Sequence, residues 1–162
     1  MSDPKLSLAR EWLAKSKGDL DSARKLAAEP DPILETAIYH CQQAAEKALK
    51  GLLVLRDQPF DKVHDVRPLI SQASALQARF AGLMPEAELL TPYATLYRYP
   101  SEVPPPTTDK FEKAHAAAEK IIRFVLSLHP ELDPTNQVAP TASQQTPRYV
   151  KEGWPSTVAA TR

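Results

Sequence analysis

Tyr39-His40-Cys41-Gln42-Gln43-Ala44-Ala45-Glu46-Lys47-Ala48-Leu49-Lys50 is the stretch whose reading decides the fold. Its residues recur at steps of three and four, the spacing that stacks side chains on one face of an α-helix. Cys41, Ala44, Ala48, Leu52 and Leu55 make an apolar stripe, and the small members of that stripe let a second helix approach closely. His40, Gln43, Lys47 and Lys50 make a second stripe of donors, acceptors and positive charge. A helix with these two stripes belongs at the centre of a compact bundle. Within it, Glu46 and Lys50 stand four apart and read as an ordinary helix-surface pair. Cys41 lies in the apolar stripe and reads as a small buried hydrophobe rather than a nucleophile.

Working outward, the flanking segments are helical as well. Ala9, Leu13, Ser16, Leu20, Ala23 and Ala27 form the inner stripe of a first helix over about Leu6 to Ala28, stopped by Pro30. Asp31-Pro32 reads as the N-cap and first turn of the second helix, which runs to about Arg56. A connection this short makes the two helices antiparallel neighbours. Asp65 caps a third helix over about Val66 to Phe80, and a short fourth holds Glu86 to Leu90. Thr91 to Pro106 carries five prolines and reads as an extended loop. Asp109 and Glu112 then open the last helix as a capping box. Its stripe Phe111, Ala114, Ala118, Ile121, Val125 and Leu128 ends at Pro130.

From Glu131 onward Pro, Thr, Ser, Gln and Asn dominate, which predicts a flexible tail. Arg148-Tyr149-Val150-Lys151-Glu152-Gly153-Trp154 stands out there as a docking motif or a chance cluster. The expected fold class is therefore all-α: an up-and-down bundle of four to five helices over 1–130, followed by a tail over 131–162.

Composition narrows the chemistry. Among 162 residues the acids and bases balance to zero, so no global electrostatic footprint for nucleic acid exists, although a local basic stripe remains open. A single cysteine excludes a disulfide framework and a multi-cysteine zinc site. No Gly-rich phosphate loop, His-x-x-x-His or carboxylate pair at metal-ligand spacing is present, so neither metal nor cofactor is expected. The Met-Ser-Asp-Pro-Lys start lacks a signal-type apolar core, and no run of about eighteen apolar residues exists. A soluble cytoplasmic chain without membrane contact is the expectation.

Five blocks together resemble a known family. They are Ala9-Arg10-Glu11-Trp12-Leu13 with Asp19-Leu20-Asp21-Ser22-Ala23, the second-helix block Tyr39 to Leu53, His64-Asp65 with Leu69, Leu90-Thr91-Pro92-Tyr93, and Tyr97-Arg98-Tyr99-Pro100. Over about residues 5–129 the chain is similar to HEPN domains, the nucleotide-binding domains of higher eukaryotes and prokaryotes. The resemblance implies a helical bundle that forms a homodimer. It also implies work beside a minimal nucleotidyltransferase in a two-component, toxin–antitoxin-like system. Other members of the family are metal-independent ribonucleases that use an Arg followed, after four to six residues, by a His. Arg98 stands where that Arg is expected, but Glu102, Val103, Pro104 and Pro105 follow, and the His is absent. Arg123 and His129 fit the spacing literally but do not share a helical face. Lys110 and His115 offer a similar spacing with a cation in place of Arg.

Three functions remain. The first is a nucleotide- or RNA-binding module reading its ligand through His40, Gln43, Lys47, Tyr93, Arg98 and Tyr99. In it, aromatics beside an Arg stack on bases and clamp phosphate. The same tyrosines serve equally to pin a Pro-rich loop to the bundle. The second is an RNA endonuclease with a non-standard motif, in which Arg98 works with His64 or His115 as acid–base groups. The third is a structural scaffold whose polar stripe meets another protein. The first two require Arg98 and the imidazole of His40 to open into one shared groove.

Overall fold

The computed structural model describes residues 3–136, and these form five α-helices linked by short 3-10 turns. The helices are α1 (Pro4–Leu26), α2 (Leu34–Leu55), α3 (Val66–Leu76), α4 (Met84–Leu90) and α5 (Thr108–Leu128). Turns of 3-10 type occupy Ala78–Leu83, Thr91–Ala94, Pro130–Leu132 and Pro134–Asn136. No strand occurs among the described residues. The fold is the expected all-α bundle. No helix of the described residues is long and apolar enough to cross a membrane. The stretch Arg148 to Trp154 and the rest of 137–162 lie outside the described residues.

The opening stretch forms the middle of α2, and α2 is the hub, packed against α1, α3 and α5. Ile38, Cys41, Ala44, Ala45, Ala48, Leu49 and Leu53 on it are wholly buried. Its small residues bring α1 close: the Ser16 hydroxyl donates to the Ala44 carbonyl across the interface at 2.6 Å. The α5 stripe is buried as its spacing requires, from Phe111 through Ala114, Ala118 and Ile121 to Val125. Cys41 is fully buried, and burial pushes its thiol up to about 12, so it is an inert packing group.

Several helix boundaries differ from the sequence reading, each for a local reason. Asp3, not a residue near Leu6, caps α1, accepting from the Lys5 amide with Pro4 in the first turn. Asp31 does not cap α2, because the Ile33 amide is bound to the Leu26 carbonyl at 2.7 Å and closes the α1–α2 turn first. The capping box at Asp109 is replaced by Thr107, whose hydroxyl accepts from the Lys110 amide. α3 ends at Leu76, where Gln77 turns extended, and a 3-10 turn continues through Phe80.

Packed structure continues past Pro130 to Asn136. Leu132 is fully buried, the Arg10 guanidinium donates to the Glu131 carbonyl at 2.7 Å, and Lys17 donates to Asp133 at 3.0 Å. The amide and hydroxyl of Thr135 hold the Asp133 carboxyl down to about 2, with help from Lys17. This short clasp secures the end of α5 against α1.

Candidate functional site

α2 presents His40 and Lys47 seven residues apart, hence on one line, toward α1. There both meet one carboxylate. His40 Nδ1 lies 2.8 Å from Asp19 Oδ1, and Lys47 Nζ donates to Asp19 Oδ2. Asp19 is mostly shielded, whereas His40 and Lys47 are each about a quarter exposed. A carboxylate only accepts, so the proton of the bonded imidazole nitrogen sits on Nδ1. The other nitrogen, Nε2, makes no hydrogen bond among the described residues and is not among their buried unpaired atoms; it faces solvent there.

Beside His40 stands Tyr39, its ring edge-on to the imidazole with centroids 5.7 Å apart. The loop after the Thr91–Ala94 turn lays Arg98 over that tyrosine, its guanidinium carbon 5.5 Å from the ring centre. Tyr99, 67 % exposed, takes the same guanidinium at 5.9 Å. Arg98 is exposed and has no carboxylate partner among the described residues. Tyr93 and Tyr97 stack 6.2 Å apart with nearly parallel rings and carry the loop on the bundle. Tyr93 is mostly buried, and its ring supports the loop. Thus Tyr39 links Arg98 to His40, and the two side chains share one patch of surface.

Two residues of the expected polar stripe turn away from this patch. Gln43 and Lys50 are buried. The Glu46–Lys50 pair, read from sequence as surface support, is 3 % and 7 % exposed and forms the centre of a second network. Lys50 Nζ donates to Glu46 Oε1 at 2.6 Å, and Gln42 Nε2 donates to Oε2 at 2.9 Å. Gln43 donates to Gln42, and the Lys50 ammonium lies over the rings of Phe60 and Trp12. The segment between α2 and α3 covers this network, which is why the surface assignment fails.

His64 and His115, the two acid–base candidates, are held by other partners than Arg98. His64 is exposed at the edge of the Glu46 network, Nδ1 3.4 Å from Glu46 Oε2. His115 packs on Phe111 and takes a hydrogen bond from Arg24 at 3.0 Å, while Arg24 also pairs with Glu112 at 2.6 Å. None of the hydrogen bonds or ring contacts of His64 or His115 reaches Arg98. No group of residues suited to hold a metal ion occurs among the described residues.

Burial and the Arg24 cation push His115 below its ordinary 6.5, and a guanidinium can only donate to Nδ1, so the ring is neutral with its proton on Nε2. Its contribution to stability is complete above the unfolded value of 6.5 and is lost as pH falls from there through the folded value. His115→Asn keeps an acceptor for Arg24 and removes the titration. Urea melts at stepped pH will show wild type losing stability relative to this variant below pH 6.5. Parallel curves would mean that Arg24 does not hold the ring neutral.

Asp19 and Tyr39 complete the site and were not singled out by the sequence reading as site residues. Tyr39 had a signal, its place next to His40. Asp19 had none in one dimension, because its partners lie 21 and 28 positions away.

A family model described as HEPN domain matches residues 9–128. A search of curated proteins gave no match. The crystal structure of TT1696 from Thermus thermophilus is 30 % identical, with a TM-score of 0.66, over 74 % of this chain and 96 % of that one. The crystal structure of ST0689, an archaeal HEPN homologue, is 26 % identical, with a TM-score of 0.60 over the same shares.

Proposed function

This chain belongs to the HEPN domain family, and on that premise we propose that it is a nucleotide- or RNA-binding module rather than a nuclease of the Arg–His type. The observation that carries the reading is Arg98, an exposed guanidinium with no acidic partner among the described residues, set against Tyr39 and Tyr99 beside His40. A guanidinium so placed is free to take a phosphate in fork geometry. Tyr99 offers an open ring face on which a base stacks. Lys47 adds charge at the rim, already shared with Asp19. The physiological assembly in this proposal is a homodimer working with a minimal nucleotidyltransferase in a two-component system. That part rests on the similarity of the second-helix block and the Tyr97-Arg98-Tyr99-Pro100 element.

Binding is measured by fluorescence anisotropy with a short labelled single-stranded RNA at fixed salt. Arg98→Ala should weaken binding by about tenfold or more and reduce the salt slope by roughly one. Equal binding by the variant would refute the assignment. On a denaturing gel the RNA stays intact. Metal-independent cutting that Arg98→Ala abolishes would instead establish an endonuclease, and a chain that binds no nucleotide or RNA would be the scaffold.

A further inference from the structure

A site meant for phosphate has an acid in it. Among the described residues Asp19 is the only carboxylate bonded to its basic side chains, and it is largely shielded by α1 and α2. Simple electrostatics makes it a liability: removing its charge should free Lys47 and tighten any anion. The geometry points to the opposite role. We propose that Asp19 is a positioning residue, one that fixes His40 so that its bare Nε2 accepts from a ribose hydroxyl of an RNA whose phosphate is held on Arg98.

Three observations support this, and the inference rests on the RNA-binding reading of the Arg98 patch. Asp19 divides its two oxygens, Oδ1 to His40 Nδ1 at 2.8 Å and Oδ2 to Lys47. The bond at Nδ1 sets the ring plane and the tautomer together, a role carboxylates play for functional histidines elsewhere. The second nitrogen has no partner among the described residues, on the imidazole whose neighbour Tyr39 carries Arg98. From α1 the imidazole faces Asp19. From its own helix it faces Tyr39 and Lys47, and beyond Tyr39 lies Arg98. Without Asp19 the ring can rotate or exchange tautomers, and Lys47 loses the partner that holds it in line.

The test turns on the sign of one change. Asp19→Asn removes a negative charge from an anion site yet should bind the same labelled RNA about fivefold to tenfold more weakly, the size of one misdirected hydrogen bond. In a His40→Ala background the same substitution should weaken binding by less than about twofold, because no imidazole remains to be positioned and Lys47 alone is left to respond. Nitrogen-15 spectra of the wild-type protein, which need no variant, should show His40 protonated on Nδ1. If Arg98→Ala loses binding while Asp19→Asn binds equally or more tightly, Asp19 is a mere charge, and the RNA-binding reading survives without it. A wild-type His40 protonated on Nε2 alone overturns the positioning role by itself. RNA that binds regardless of Arg98 overturns the site and this inference together.

Discussion

Glu46→Ala should lower the free energy of unfolding by about 3–5 kcal/mol, the range for removing one partner of a buried ion pair. The substitution strands the Lys50 ammonium, 7 % exposed, with its 2.6 Å carboxylate contact gone. The Gln42 amide loses its 2.9 Å acceptor in the same step. The rings of Phe60 and Trp12 remain over the cation, at 5.3 and 5.9 Å, and soften the loss without replacing a carboxylate. Urea denaturation at neutral pH measures the effect. Replacing both charges, Glu46→Leu with Lys50→Met, should recover most of it, since a hydrophobic pair of similar volume avoids two desolvation costs. A loss under about 1 kcal/mol for Glu46→Ala would place the pair in the energetic class of exposed ones.

That network also marks where sequence reading reaches its limit. The spacing of Glu46 and Lys50 is identical whether the pair is bathed in water or roofed over. Burial is decided by Phe60 from the α2–α3 segment and Trp12 from α1, and no periodicity within α2 encodes that cover. The α5 stripe was legible because its packing depends on its own period alone, and every member from Phe111 to Val125 is buried. The caps were less legible. Thr107 and Asp109 are both good capping residues, and only the path of the preceding proline loop selects Thr107. At the candidate site, Arg98 and His40 could be named from residue type and resemblance. Their link through Tyr39 and the tie to Asp19 depend on how α1 and the loop dock on α2, which is a register between elements rather than a pattern within one.

The same register is what Gly51 sets, and its substitution should produce the other large effect. A β-carbon built there would collide with Leu13 Cδ2 and would stand 3.1 Å from both the Ala9 carbonyl oxygen and Trp12 Cβ. The end of Leu13 can swing aside, but the Ala9 carbonyl and Trp12 Cβ belong to the frame of α1 and move only with the helix. Gly51→Ala therefore sets a gain in helix propensity of about 1 kcal/mol against overpacking of about 1–3 kcal/mol, and the net is a loss. Gly51→Leu has no room to collapse into; it should cost more than about 3 kcal/mol and force α1 outward. Because Asp19 reaches His40 and Lys47 across this same helix pair, Gly51→Ala should also weaken RNA binding, although Gly51 touches no ligand-facing residue. Gly18 supplies the internal comparison. It lies within α1 with nothing within 4 Å of its would-be β-carbon, so Gly18→Ala should stabilise the fold by about 0.5–1 kcal/mol through propensity alone. Thermal melts of the two alanine variants should therefore move in opposite directions, and a Gly51→Ala protein that gains as Gly18→Ala does would mean that α1 and α2 are not in contact at that turn.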